Sequence, residues 1–379
     1  MDNTEEKNIE INLLELPFKV LTLVGCWQPK SWTSVYQHII YQIYSLLIIF
    51  LVNSFTLSQL MDIILIADNT DDFCDTFSIL IPMVVACFKL FSLLASRKNI
   101  IKLIDILNKK PCKPLEPNEI EIYYKFNKGM QINTFHYSAM CFVTITIITI
   151  TSILTNFGER KLTYRAWIPF EYNSSISTYC SLFIHQLIGL SIGALVNISC
   201  DTLICGLMEH ICCQFEILTD RLKRMLHSDD LRICVQQHCK IFKLATLINE
   251  NFRMIITVQF LLSMFIVCFN LYTISLSQLD SRCIRLALFM GCMLTQIFVY
   301  CWFGNQVKLK SRQFINNIFE IQWFTLDNNL KKSLIIMMKR SVIPIEITSA
   351  YTIPVNLDSF MGILKTSYSV YNLLKQTKD

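Results

Sequence analysis

The chain has 379 residues, 53% hydrophobic and only 17% charged, with a mean hydropathy of +0.43. An ordinary globular domain carries about 25% charged residues, so this composition argues against a soluble enzyme. The formal charge of +5 is scattered through connecting segments, which leaves no basic patch for nucleic acid.

Five segments, 36–61, 129–158, 172–200, 254–279 and 286–307, run 22 to 30 residues without an Asp, Glu, Lys or Arg. At a rise of ~1.5 Å per helical residue, each can cross a hydrocarbon core roughly 30 Å thick. The expected fold is therefore an all-α polytopic membrane protein, with lipid around it. No cleaved signal is expected, because the first apolar segment is too long for a signal-peptide core and lacks a small-residue cleavage site.

In chain order, residues 1–34 form a cytoplasmic N-terminal segment and 35–304 hold six spans. The second span, 76–96, is apolar apart from Lys89, whose long stem is expected to carry its ammonium to the membrane interface. Gly189 and Gly193 place small residues four apart in the fourth span, a spacing that lets helices approach closely. Between the fourth and fifth spans, 201–251 is helical by its pattern. Leu203, Leu207, Ile211, Phe215, Leu218, Leu222 and Leu226 recur three or four apart, and Ile233, Val235, Phe242, Leu244 and Leu247 resume the pattern. This spacing predicts an amphipathic hairpin extending past the membrane. Residues 305–345 read as cytoplasmic anchor helices, with apolar stripes over 314–324 and 330–342 and an interruption at Pro344. Patches of that size normally mark association sites.

The seventh span, about 355–377, is the least apolar and carries Asp358, Lys365 and Lys375. Thr366, Ser369, Leu373, Gln376 and Thr377 fall close to one face at the helical period. A polar stripe in a span must be buried against protein or water. Packing inside one bundle and lining a pore are both open on this pattern alone.

Charge orients the spans. Segment 58–75 has no Lys or Arg and five Asp, whereas 97–128 has eight basic residues, 201–251 six and 308–332 five. By the positive-inside rule the N-terminus and these three basic loops are cytoplasmic, and the C-terminus is outside. The acceptor sequence at Asn173 then falls in an outer loop, open to glycosylation. Most of the sixteen cysteines lie in spans or face a reducing compartment; Cys74, Cys180 and Cys283 are the three for which an outer disulfide is chemically open.

Motifs for catalysis are absent: the six histidines make no HExxH, and nine glycines form no phosphate loop. His210 with Cys212 and Cys213, or His238 beside Cys239, can be drawn as metal ligands, but packed core residues are the plainer reading. No cofactor or metal is expected.

Several segments resemble the insect odorant receptors. These are Leu330-Lys-Lys-Ser-Leu-Ile-Ile-Met-Met-Lys-Arg-Ser341 followed by Pro344, Val355-Asn-Leu-Asp-Ser-Phe360, and Leu364-Lys-Thr-Ser-Tyr-Ser369 with Leu373-Leu374. Tyr300-Cys-Trp-Phe-Gly-Asn305 and the pair Trp323-Phe324 match the same family. Gustatory relatives usually end in Thr-Tyr, apolar residues and Gln-Phe, which this chain lacks. The C-terminal third carries the specific part of the resemblance.

The resemblance implies the odour-tuned subunit of a ligand-gated, non-selective cation channel in the plasma membrane of olfactory sensory neurons. Its partner would be the conserved co-receptor in a heterotetramer, and the permeant ions Na⁺ and K⁺, with Ca²⁺ a third to test. It also implies a pore lined by the seventh helix, with Leu373 as the outer apolar gate below Gln376 and Thr377. Trp323, Phe324, Leu334 and Met338 are the expected subunit contacts. Small volatile ligands would bind between four helices in the outer membrane half, among Phe77, Leu80, Ile81, Ile150, Leu154, Tyr179, Phe183, Leu187, Met290, Met293 and Leu294. Tyr179 and Gln296 are the candidates for one hydrogen bond to a ligand oxygen. A homomeric channel of gustatory type is an alternative. A transporter is a weaker one, because internal repeats and paired broken spans are not visible.

Overall fold

The computed structural model describes residues 14–29, 31–66, 69–156, 160–170, 175–224, 228–276, 281–321 and 326–376. A short helix α1 (Glu15–Leu23) precedes six long ones: α2 (Val35–Leu65), α3 (Thr70–Asn108), α4 (Pro117–Asn156), α5 (Ile176–Arg224), α6 (Ser228–Leu276) and α7 (Ser281–Phe319). They are followed by α8 (Asn328–Ser341), a two-stranded hairpin of β1 (Thr348–Ser349) and β2 (Ile353–Pro354), and α9 (Leu357–Gln376). Helices α2 to α7 are long and apolar enough to cross a bilayer by length and composition. On α2, Ile39, Ile43, Leu46 and Phe50 point outward and are exposed in the single chain, an arrangement that suits lipid rather than water.

Helix α5 is the axis of the bundle, in contact with α1, α2, α3, α4, α6 and α7. Glycines make two of those approaches possible. A Cβ at Gly189 would stand 3.0 Å from Phe55 of α2, and one at Gly193 would stand 2.7 Å from the Met83 sulfur of α3. Past the apolar segment, Leu203, Leu207, Ile211, Phe215, Leu218 and Leu222 are all buried in the main core, as their spacing predicts. Ile233 of α6 is exposed, out of phase with the expected stripe, while Ile241, Leu244 and Ile248 face inward.

The apolar stripe after the sixth span departs from expectation. Phe314 and Ile318 are fully buried in this chain's own core, together with Leu334 and Met337 of α8. Helix α8 folds back onto α6 and α7, so the face expected to meet another subunit is largely spent within the chain. His238 of α6 binds Ser341 Oγ at 3.0 Å and stacks on Phe314. Burial, reinforced by the nearby Arg340 cation, pushes that imidazole down to about 4 and keeps it neutral.

At the end of the bundle where α5 turns into α6, hereafter the hairpin end, one guanidinium ties three elements together. Arg221 Nε and Nη2 donate to Glu119 Oε1 and Oε2 at 2.8 and 2.7 Å, and Nη1 donates to Gln237 Oε1 at 2.8 Å. Its remaining donors reach the carbonyls of Pro111 and Lys113. Burial alone would raise the Glu119 carboxyl, but the Arg221 hydrogen bonds and charge hold it below its ordinary value. Replacing Arg221 with Met leaves the buried Glu119 carboxylate with the longer Arg224 contact at 3.4 Å and the Leu115 N–H, a loss toward the lower end of about 3–5 kcal/mol. A fall in the thermal midpoint of the detergent-purified Arg221→Met protein, partly restored by adding Glu119→Gln, is the expected outcome.

Candidate ligand cavity and the exposed helix

The membrane-depth part of the bundle encloses a mostly apolar cavity of about 90 Å³. Pro82 and Met83 of α3, Tyr137, Cys141, Thr144 and Ile148 of α4, Leu190, Ala194 and Asn197 of α5, and Phe289, Cys292, Met293 and Gln296 of α7 line it. Tyr164, from the connection between α4 and α5, closes one side. Gln186 of α5 holds that residue by both backbone groups, receiving the Tyr164 N–H at 3.2 Å and donating to its carbonyl at 2.8 Å. Cys141 and Cys292 interact across the cavity wall, and Thr144 Oγ1 lies 3.2 Å from the Cys292 sulfur. Such a lining offers shape, dispersion and polarizable sulfur rather than fixed charge.

Beneath the cavity lies a buried polar network. Lys89 Nζ donates to Asp201 Oδ1 at 2.6 Å, with both side chains excluded from solvent. Tyr300 donates to Oδ1 at 2.6 Å, Tyr137 to Oδ2 at 3.3 Å, and Gln296 Nε2 to the same Oδ2. Gln259 of α6 then donates to Gln296 Oε1 at 2.8 Å. Lys89 thus does not run to an interface. It is 0% exposed, because an acid 112 residues away on α5 supplies a partner that no local pattern reveals. Gln296 is engaged at both ends of its amide, and Tyr179 donates to the Lys161 carbonyl at 3.2 Å. Neither offers the ligand the plain hydrogen bond expected of it. Single substitutions Lys89→Met and Asp201→Asn each strand a buried charge and are expected to cost about 3–5 kcal/mol. The double variant should recover part of that loss, because an asparagine still accepts from Tyr300; surface expression and thermal midpoint measure both.

Of the residues expected around the ligand, Met293 and Gln296 line the cavity. Phe77 instead stacks on Phe73 and meets Phe269 of α6. Tyr179 and Phe183 are buried against one another, with ring centroids 6.1 Å apart. Leu80 is buried, Ile81, Leu187, Met290 and Leu294 are half-buried, and none of the five reaches the cavity. Ile150 and Leu154 point outward, Leu154 being 80% exposed. The physical reason is helical phase. Ile148 lines the cavity, and two residues further on, about 200° around the helix, Ile150 faces away.

Tyr137, Cys141, Thr144, Asn197 and Cys292 join the lining without a strong mark in the sequence. The one legible sign is weak polarity inside otherwise apolar spans. Among the described residues no disulfide joins Cys74, Cys180 or Cys283. Among the described residues no three His, Cys, Asp or Glu side chains converge as a metal site.

Helix α9 packs on α6 and α7 by one side only. Ser367 is buried and faces the Met264 carbonyl, whereas Thr366, Ser369, Leu373 and Gln376 are exposed along the other side. The hydroxyls of Thr366 and Ser369 bond their own helix, to the Gly362 and Lys365 carbonyls, each at 2.9 Å. Leu373 is 63% exposed. Asn356 starts the helix by accepting the Ser359 N–H at 2.9 Å, and Gly304 lets the preceding strand sit on α7, since a Cβ there would be 2.2 Å from the Val355 carbonyl. Of the expected subunit contacts, Leu334 is buried within the chain and Met338 half-buried, while Ile335, Ile336, Val342 and Ile343 are the outward apolar residues nearby. Trp323, Phe324, Thr377 and Asn173 lie outside the described residues.

Six long apolar helices, four of them walling an apolar cavity, with a further amphipathic helix on one flank, define a polytopic α-helical membrane protein. The chain belongs to the insect odorant receptor family: residues 69–368 match the family described as 7tm Odorant receptor. It is 24% identical to Odorant receptor Or1 of Anopheles gambiae over 81% of this chain and 82% of that one. It is 22% identical to Odorant receptor 2a of Drosophila melanogaster over 95% and 96%. Its fold is similar to that of the insect olfactory receptor OR5 from Machilis hrabei in complex with eugenol, with a TM-score of 0.84 at 15% identity over 96% of this chain and 97% of that one. The chain is accordingly a membrane receptor of sensory neurons and not an enzyme.

Proposed function

We propose that this chain is the odorant-binding subunit of a ligand-gated, non-selective cation channel opened by small, mostly apolar volatile molecules. The observation that carries this reading is the cavity between α3, α4, α5 and α7, apolar in its lining and built on a polar network that reaches Gln259 of α6. Helix α9 packs against α6 and α7, so a change in the spacing of the cavity walls has a short mechanical route to it.

On this reading α9 is the seventh span and its exposed face lines a central pore. The bundle then has its N-terminus and hairpin end in the cytoplasm and its C-terminus outside. The hairpin end, α8 and the 305–345 segment form the intracellular association domain, where Ile335, Ile336, Val342 and Ile343 meet a neighbouring subunit. The partners are three further subunits that include the conserved co-receptor, and the permeant ions are Na⁺ and K⁺, with Ca²⁺ to be tested. An exposed Leu373, together with the apolar residues that the other subunits bring to the same level, makes a ring that blocks ions by dewetting.

Leu373→Ser is expected to raise current in the absence of ligand when co-expressed with the co-receptor. Unchanged basal and evoked currents in a surface-expressed mutant would remove Leu373 from the gate. Recording with and without co-receptor separates the heteromeric from the homomeric channel. Met293→Ala is expected to reorder the potencies of a chemical panel without altering ion permeability ratios, whereas Leu154→Ala, on the outward face, should leave the ranking intact. A ranking indifferent to Met293 argues against this cavity.

A further inference from the structure

A second chamber, about 140 Å³, adjoins the apolar cavity on the side of the α2–α3 connection. Ile79, Ile148, Tyr164 and Phe289 line both spaces, so the two adjoin across a neck formed by these four side chains. Unlike its neighbour, this chamber is polar, and its central group is Gln59 of α2. Gln59 is completely buried, yet neither its Oε1 nor its Nε2 has a hydrogen-bond partner. The Tyr164 hydroxyl at the neck is likewise buried and unpartnered. Buried polar groups are ordinarily satisfied, and leaving an amide without partners is destabilising. The hydroxyls nearby are already committed: Thr76 donates to Asp62 at 2.8 Å and Ser78 is shared between the Cys74 carbonyl and Asn270. What remains open is an amide that can both donate and accept, beside it a phenol, and the Arg165 Nε–H, whose acid Asp62 stands 3.5 Å away, beyond hydrogen-bond geometry.

We propose that this chamber is a head-group subsite that takes the neutral hydroxyl or carbonyl group of an amphiphilic odorant, with Gln59 and Tyr164 as its hydrogen-bonding partners. The apolar part of the same molecule passes the neck into the cavity between α3, α4, α5 and α7. This rests on the reading of that cavity as the odorant site. The charges around the chamber favour a neutral head. Arg165 is held by Asp72 at 2.7 Å and by Asp62 at 3.5 Å, and Asp75 lines the chamber together with Arg285. A carboxylate entering would meet acid as well as base, whereas an alcohol, ketone or ester meets an amide able to serve either of its roles.

The test uses the chain co-expressed with the co-receptor and a panel of straight-chain alkanes, primary alcohols, 2-ketones and acetate esters matched in length. Wild type is expected to respond to oxygenated members at concentrations about tenfold or more below the matched alkane, the range for one satisfied buried hydrogen bond. Gln59→Leu, close in volume, should erase that preference while sparing the alkane response and the maximal current, and Tyr164→Phe should reduce it in part. The purified, ligand-free Gln59→Leu channel should melt at or above the wild-type temperature, because an unsatisfied amide has been removed. A lower melting temperature, or a potency loss shared equally by alkanes and oxygenated compounds, overturns the subsite in favour of a structural role. A wild-type channel silent to every oxygenated member overturns it as well. If Met293→Ala reorders the panel and Gln59→Leu does not, the subsite fails while the cavity reading stands; if neither alters the ranking, the cavity reading fails with it.

Discussion

The architecture depends on one buried ion pair. Taking an ammonium and a carboxylate out of water costs several kcal/mol each, and their attraction offsets this only when geometry is good and the remaining hydrogen-bonding positions are filled. Lys89 and Asp201 meet both conditions: the contact is 2.6 Å, and Tyr300, Tyr137 and Gln296 complete the acid's shell. Four helices, α3, α4, α5 and α7, are thereby fixed in register at one depth. Those are the helices that wall the cavity, so the network is its floor as well as its alignment device.

The same constraint limits what the cavity can recognise. The polar groups at its base are largely engaged with one another, and the rest of the lining is sulfur, aromatic and aliphatic surface with Asn197 Oδ1 and the Tyr164 hydroxyl left unpartnered. Further free hydrogen-bonding capacity lies in the adjoining chamber, where Gln59 has no protein partner. On the proposed reading, the receptor senses size and shape in one chamber and a single polar group in the other. The separation keeps the ligand's polar end away from the charges that hold the bundle together.

At the other flank, α9 owes its position to small details rather than to a large apolar face. Gly304 admits the strand before it, Asn356 caps it, and α6 supports the preceding turn. That turn carries Ala350 and Tyr351 at positive φ and is held by Thr257 Oγ1, which receives the Ala350 N–H at 2.8 Å. One side of the helix lies against α6 and α7 and the other is open, which is what the proposed pore-lining role requires. Gly304, Asn356 and Ser359, three of the residues that make this placement possible, belong to the motif segments.

Sequence alone determined the class: segments of 22 to 30 residues without a charge leave little choice but helices in a bilayer, since unpaired backbone groups are not tolerated in hydrocarbon. It also determined the long helical extension of α5, through a three-four repeat, and the shared face of Thr366, Ser369 and Leu373 on α9, though not that this face is the open one. The tertiary structure decided everything that depends on which side of a helix faces a neighbour. A uniformly apolar span has no polar face to set its rotation about its own axis, so Ile148 and Ile150, Met293 and Leu294, or Leu190 and Leu187 are equivalent until packing separates them. Lys89 shows the same limit for charge: whether a lone lysine snorkels or pairs depends on Asp201, brought beside it only by the folded bundle.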